Sequence, residues 1–561
     1  MFYPMPASSK LPSRTLRVLA FALAAGLNAY AQNPAALPPS TPGAKAAVGI
    51  FDGHGDLGIA PAAGESLFDA DKKTYAVTGG GNNLWAKVDA GHFAWKKLSG
   101  DFSLAADIAF LPNATGAADP HRKACLMIRQ SLDADSAYVD ASLHGDGLTA
   151  LQFRDAKGEP TREVMSNVVG PLRMRLEKHG DTFTLFVGQA GEDPKYSGAS
   201  YILKFQEPFY VGLVVNAHNG NDTSLNRETA AFSRVELKTN LPATTPKLYS
   251  TLETQVSNPV NANQTQNTDR AVLYVTPGSI EGPVWLPDNS GIVFSRGGQL
   301  FRLPMRVPVR PARGAAGAPA APAAPASVLG ASPLATGEPV LIDTGAIKGI
   351  SRTHGLSPDG TQLIFVDHPQ GNPRPPANTY IVPIAGGTPR LLTPNTGAGS
   401  SLSPDGKTFA FDTDTVADIF TIPTDGSAPA IRLTNGAGKK NYGPQFTRDG
   451  AHIVFCSDRS GTMQIWWMKP DGSEPQQLTN DENNNWFPRL SGNDASALFV
   501  TYPKSVTGDP ANSPVQIRRL NLSNPARTID LMARVLGGPA SAPTWSPSNA
   551  QITFVSYQMV H

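Results

Sequence analysis

Six short turn sequences recur through the second half of this chain. They are Leu286-Pro287-Asp288-Asn289, Ser357-Pro358-Asp359-Gly360, Ser403-Pro404-Asp405-Gly406, Thr447-Arg448-Asp449-Gly450, Ser491-Gly492-Asn493-Asp494 and Ser546-Pro547-Ser548-Asn549. Their starts lie 71, 46, 44, 44 and 55 residues apart, close to the ~40–45 residues of one four-stranded propeller blade apart from two insertions. Each suits a hairpin: Pro presets φ, Asp bonds the backbone that follows, and Gly accepts the left-handed region. A β-rich triplet follows every turn, as in Ile292-Val293-Phe294, Leu363-Ile364-Phe365, Phe409-Ala410-Phe411, Ile453-Val454-Phe455, Ala497-Leu498-Phe499 and Ile552-Thr553-Phe554. Third strands such as Gln464-Ile465-Trp466-Trp467-Met468, and fourth strands ending in Leu392-Thr393, Leu433-Thr434 and Leu478-Thr479, complete the pattern. Six turns predict six blades over 265–561. The last repeat stops after its second strand, which leaves an open sheet edge that must be covered. The segment from Asp269 to Val275 reads as the orphan strand that closes the ring.

The repeat from Tyr442 to Thr479 reads Gly-Pro-x-Phe-Thr-x-Asp-Gly, then Ile-Val-Phe-x-Ser-Asp-Arg-x-Gly, Gln-Ile-Trp, Asp-Gly and Leu-Thr. It resembles the repeat of TolB-type six-bladed propellers, and the resemblance covers about 300 residues. It implies an extracytoplasmic protein that binds a protein or peptide partner of the cell envelope. The family's namesake carries an α/β domain ahead of its propeller, and no such pattern reads here.

Residues 47–240 alternate apolar and polar positions between Gly, Asp and Asn turns, as in Phe102–Ile108 and Phe183–Val187, which predicts an antiparallel sandwich. The stretches Gly79-Gly80-Gly81-Asn82-Asn83-Leu84-Trp85, Ala124-Cys125-Leu126-Met127-Ile128-Arg129, Val211-Gly212-Leu213-Val214-Val215 and Ala231-Phe232-Ser233-Arg234-Val235 resemble concanavalin A-like, laminin G-like jelly rolls. The predicted class is therefore all-β: a jelly roll followed by a six-bladed propeller. Such jelly rolls often bind glycans by stacking aromatic rings on sugar faces, which makes Trp85, Trp95, Arg129, Arg154 and His218 the candidate glycan contacts. Against that stands the plainer reading, in which an aromatic in an apolar strand is core.

Basic residues Lys10, Arg14 and Arg17, an apolar run from Val18 to Leu27 and a small-x-small end at Ala29-Tyr30-Ala31 read as a signal peptide over 1–31, with a linker over 32–46. The run is about half the ~20 residues of a membrane span, so a periplasmic or secreted protein is expected. A second linker is expected over 241–264, and the Ala/Pro-rich stretch 308–333 reads as an insertion between the third and fourth strands of blade one. With 47 basic and 46 acidic residues the net charge is +1, and no basic run offers a nucleic-acid surface. The two cysteines, Cys125 and Cys456, sit in apolar strands of different halves and read as buried thiols.

No Gly-x-Ser-x-Gly elbow, His-Glu-x-x-His, phosphate loop or dinucleotide fingerprint occurs, so binding rather than catalysis is the expectation, with no cofactor. Asp412 and Asp414, which could ligate calcium, follow a second strand, where Asp caps turns. First strands of a propeller line its channel, and their starts carry Arg352, His354, Lys440, Tyr442, Trp486 and Arg489. That cationic and aromatic rim suits a carboxylate-bearing peptide or an acidic sugar. The alternative is a polysaccharide lyase or glycosidase at the same mouth, which requires His354 to meet at least two more metal-type ligands.

Overall fold

The computed structural model describes residues 47–561 except 113–117, 171, 219–224, 257–269, 306–334, 336, 369–375, 398, 414, 436–439, 512 and 539–541. The proposed signal peptide, the linker 32–46, most of the Ala/Pro-rich insertion and Asp414 thus lie outside the described residues.

Every described element is a β-strand, short turn or loop. From residue 280 onward the chain builds five separate four-stranded sheets, each antiparallel and each in sequence order. Their first strands are Ile280–Trp285, Ile350–Leu356, Ser400–Leu402, Asn441–Phe446 and Asn484–Leu490. The turn chemistry behaves as the residues dictate. Gly360 N donates to Ser357 O at 2.8 Å and Gly406 N to Ser403 O at 2.8 Å, while the fourth turn position takes the left-handed region throughout, φ near +70° at Gly360, Gly406 and Gly450 and 54° to 60° at Asn289, Asp494 and Asn549, the residue types that tolerate it. The triplets after the turns are the buried centres of their sheets: Ile292, Val293, Phe294, Ile453, Val454 and Phe455 are fully covered.

The expectation of six like blades is corrected here. The sixth repeat, Thr544–Trp545 and Gln551–Val560, does not form a separate sheet but ends an eleven-stranded one. Lys247–Val256 pairs with Gln551–Val560 antiparallel, from Lys247↔Val560 to Val256↔Gln551. Arg270–Pro277 then pairs with Lys247–Val256. The proposed orphan strand does join the last repeat's sheet, but through a strand lying inside the stretch 241–264 that the sequence suggested was a linker. The ten residues of Gln551–Val560 present a long free edge, and an unpaired edge of that length is covered by whatever extended segment can match it.

The same sheet runs on into the first half. Arg162–Val169 pairs parallel with Arg270–Pro277 at Val164↔Arg270 and Met165↔Ala271, and the sheet continues through Leu148–Arg154, Tyr138–His144, Lys123–Arg129, Phe209–Asn216, Gly91–Leu98 and Gly53–Leu57. A second, seven-stranded sheet packs against it, with Phe102–Phe110 and Leu172–His179 near its middle. One apolar core lies between them, formed by alternate side chains such as Leu104, Ile108, Met174 and Leu176 from one sheet and Leu126, Ile128, Ala141 and Leu213 from the other. The polar partners of that alternation face the other side of the long sheet, and several of them are buried there too.

Candidate functional site

Neighbouring first strands of the repeats approach one another closely. Gly282, at φ +58°, lies so near the next first strand that a Cβ would fall 2.5 Å from Thr353 O, and the Thr353 hydroxyl donates to Gly282 O. Between the strands is a cavity of about 390 Å³ lined by Trp285, Thr353, His354, Gln445, Arg489 and Trp545 among others. Pro287, Gly492 and Pro547 from the recurrent turns also line it, so it sits toward the turn end of the first strands rather than at the mouth formed by their starts, where the sequence placed the site.

Three of the six expected mouth residues act together. His354 is buried, its Nδ1 lies 2.5 Å from Ser400 Oγ on the next first strand, and its Nε2 has no partner. Burial, then the charges of Arg352 and Arg489, hold the imidazole well below its usual range, so it is neutral at pH 7. Burial and the like charge of Arg352 bring the Arg489 guanidinium down to about 10. Among the described residues the one hydrogen bond from its side chain goes to Pro488 O at 3.3 Å, and no carboxylate lies in ion-pair range of it.

The other three are placed elsewhere. Trp486 is buried in the core between the fourth and fifth sheets, stacked on Tyr442 at 6.0 Å between ring centroids, and Tyr442 O accepts from Cys456 Sγ at 3.3 Å. Lys440 is exposed, its backbone N donating to Asp458 Oδ1 at 2.8 Å. Sequence reasoning missed the indoles of Trp285 and Trp545. The signal was available: the position just before each turn carries a large apolar side chain, Trp285, Leu356, Leu402, Phe446, Leu490 and Trp545, and four of these line the cavity.

The candidate glycan contacts of the first half largely serve structure. Arg129 and Arg154 are fully buried and share one carboxylate. Arg129 Nη1 reaches Asp89 Oδ2 at 2.8 Å, and Arg154 Nη2 and Nη1 reach Asp89 Oδ1 and Oδ2 at 2.7 Å each. Backbone carbonyls of Ser131, Asp133, Ser136 and Glu159 take further guanidinium protons. Asp89 belongs to the short hairpin Leu84–Trp85 and Val88–Asp89, so the triad pins that hairpin over the sheet. Trp95 is core, against Phe93 and Tyr210. Trp85 stays partly exposed, with Lys123 Nζ 5.0 Å from its ring, and His218 Nδ1 lies 3.1 Å from Asp119.

The same face holds polar groups that sequence reasoning passed over. Asp140 is fully buried with neither carboxylate oxygen partnered, and burial pushes its pKa up to about 8. Gln152 stands directly across the ladder from it, with Nε2 donating to Glu163 Oε2 at 3.0 Å and Oε1 without a partner. Lys123 Nζ is tied to Asn83 Oδ1 at 3.0 Å and Leu84 O at 2.8 Å. The alternation Tyr138, Asp140, Ser142, His144 in a β-rich run was the sign that this face is polar.

Comparison with known proteins places these observations. The family model described as "TolB beta propeller domain" matches residues 353–560. Uncharacterized protein Atu1656 of Agrobacterium fabrum is 30% identical over 291 residues, covering 51% of this chain and 87% of that protein. The chain belongs to the TolB β-propeller family. A protein TolB homolog of Chlorobium luteolum is 35% identical over 126 residues, 21% of this chain and 26% of its own. The structure of putative TolB from Agrobacterium tumefaciens matches at 28% identity over 56% of this chain and 99% of its own, with a TM-score of 0.45. In this TolB-family chain the requirement for a metal-dependent site is not met: among the described residues no three His, Cys, Asp or Glu side chains converge to hold a metal. The groups that act on His354 are the Ser400 hydroxyl, the Arg352 and Arg489 guanidinium groups and His368. No helix among the described residues is long and apolar enough to cross a membrane.

Proposed function

We propose that this protein is an extracytoplasmic binding scaffold of the cell envelope whose propeller receives a protein or peptide partner in its channel. The observation that carries the reading is the 390 Å³ cavity with the half-buried Arg489 on its wall, a guanidinium with one hydrogen bond and no ion pair among the described residues. A half-buried cation without an ion pair loses hydration that nothing nearby fully replaces, and such a group beside a cavity is a candidate ligand contact. Membership of the TolB family supports a protein partner. In this reading Thr544–Trp545, Gln551–Val560, Lys247–Val256 and Arg270–Pro277 serve as a sixth blade that closes the ring. The first half is then a concanavalin A-like jelly roll that contacts a glycan or a second partner, with Trp85 and His218 the best placed of its five candidates.

A photo-reactive phenylalanine analogue placed at Leu356, on the cavity wall, tests the channel reading in cells of the source species. Cross-linking from Leu356 to a discrete partner, with none from the exposed outer-edge position Ile431, is the expected result. Adducts from Ile431 alone would move the binding surface off the channel.

A further inference from the structure

Resting on that reading, we infer that the channel cavity is a receptor for the C-terminal carboxylate of an apolar-ended peptide, with Arg489 as its charge partner and His354 Nε2 as a second donor. Three features lead there. The cavity holds a guanidinium with a single hydrogen bond, at 3.3 Å, and no ion pair among the described residues. Guanidinium groups are best satisfied by the two oxygens of a carboxylate. Beside it, His354 is more than nine-tenths buried with Nε2 unpartnered. Ser400 Oγ at Nδ1 can donate to that nitrogen, which leaves the proton on Nε2 and turns an orphan atom into a donor.

The remaining wall decides what the carboxylate is attached to. Much of the lining is apolar: Trp285, Leu356, Leu490, Trp545 and Val284. Three of its polar side chains are already engaged. Gln445 Oε1 accepts from Leu490 N at 2.7 Å, the Thr353 hydroxyl is given to Gly282 O, and Ser546 Oγ accepts from Gln551 N at 3.0 Å. Both indole N–H groups are also used, Trp285 Nε1 on Thr553 Oγ1 at 2.9 Å and Trp545 Nε1 on Arg489 O at 3.0 Å. A uronate brings several hydroxyls per carboxylate, and these would be buried without partners, at the cost that unmade hydrogen bonds carry. A peptide end brings one carboxylate and an aliphatic side chain, which matches both parts of the wall.

Free-acid against amide ends isolate the claim. The full chain, purified and fluorescently labelled, is applied to an array of heptapeptides fixed through their N-termini, with the last three positions varied and each sequence present as the free acid and as the carboxamide. The expected result is retention on a subset of free-acid peptides with apolar last residues, at least tenfold weaker binding to the matching amides, and the same loss on Arg489→Gln. His354→Gln, which keeps a donor, should lower binding less than His354→Ala. Equal binding to acid and amide forms, or displacement by oligogalacturonate at lower concentration than by the free-acid peptide, would overturn the inference. If Leu356 cross-links a partner in cells while the array shows no preference for free acids, the scaffold reading stands and the carboxylate inference falls. If neither gives a signal, both fall.

Discussion

Two sets of charge sit in the two halves of this molecule, one fully buried and one half-buried beside a cavity, and they are treated differently. In the first half Asp89, Arg129 and Arg154 are fully buried, but each charge is answered, and carbonyl oxygens take the protons that Asp89 cannot. In the propeller Arg352 and Arg489 act on one another as like charges, and the Asp412 charge offsets this only in part; among the described residues no carboxylate lies in ion-pair range of Arg489. A closed network of the first kind fixes geometry. An open one of the second kind works against the fold that carries it, and is expected where a ligand supplies the missing charge.

The largest effect is expected at the triad. Arg154→Gln leaves Asp89 short of its bidentate partner in a fully buried site and should lower unfolding stability by about 3–5 kcal/mol, measured by urea titration. A loss below 1 kcal/mol would mean the hairpin Leu84–Asp89 lifts away and lets water in. Next in size is the shared sheet. Thr251→Pro, in the middle of Lys247–Val256 and fully buried, removes a ladder donor and orphans a carbonyl, about 1–3 kcal/mol from that term alone. Because this strand lies between Arg270–Pro277 and the C-terminal Gln551–Val560, both halves should unfold at lower denaturant together. Separate transitions would show that the continuous sheet does not couple them.

The third effect depends on pH. Burial raises the Asp140 pKa from 3.8 to about 8. Between those values the folded chain holds a proton that the unfolded chain has released, so this group's contribution to stability falls as pH rises from about 4 to 8. Asp140→Asn should remove that part of the slope and gain on the wild type toward pH 8. An unchanged slope would show that the carboxylate is answered in solution. A smaller effect is kinetic. Cys125 and Cys456 are both buried free thiols, one in each half, and burial raises both well above the ordinary range. Native protein should resist thiol reagents at pH 8, and the two labelling rates then report local opening of each half separately.

How much of this was legible in the sequence follows the range of the interactions. The turns at Ser357, Ser403 and Thr447 are built by residues two to five positions apart, so their chemistry could be read directly. The pairing of Lys247–Val256 with Gln551–Val560 spans some three hundred residues, and nothing local in 247–256 marks it as a propeller strand. Arg129 and Arg154 were misread for a related reason: their partner, Asp89, sits on a two-residue strand with no pattern of its own. Arg352, His354 and Arg489 could be placed on first strands because repeat position alone puts them there. Tyr442 and Trp486 share that position, but their large rings fill the gap between neighbouring sheets instead.

The smallest expected change falls at Arg489. Arg489→Met keeps much of the side chain's length and removes the charge that the channel leaves unanswered. In urea unfolding of the ligand-free protein beside Arg154→Met, Arg489→Met should unfold within about 0.5 kcal/mol of the wild type or be more stable, while Arg154→Met loses several kcal/mol. Comparable losses in the two variants would contradict this, because Arg489 would then be a structural charge like the arginines of the triad.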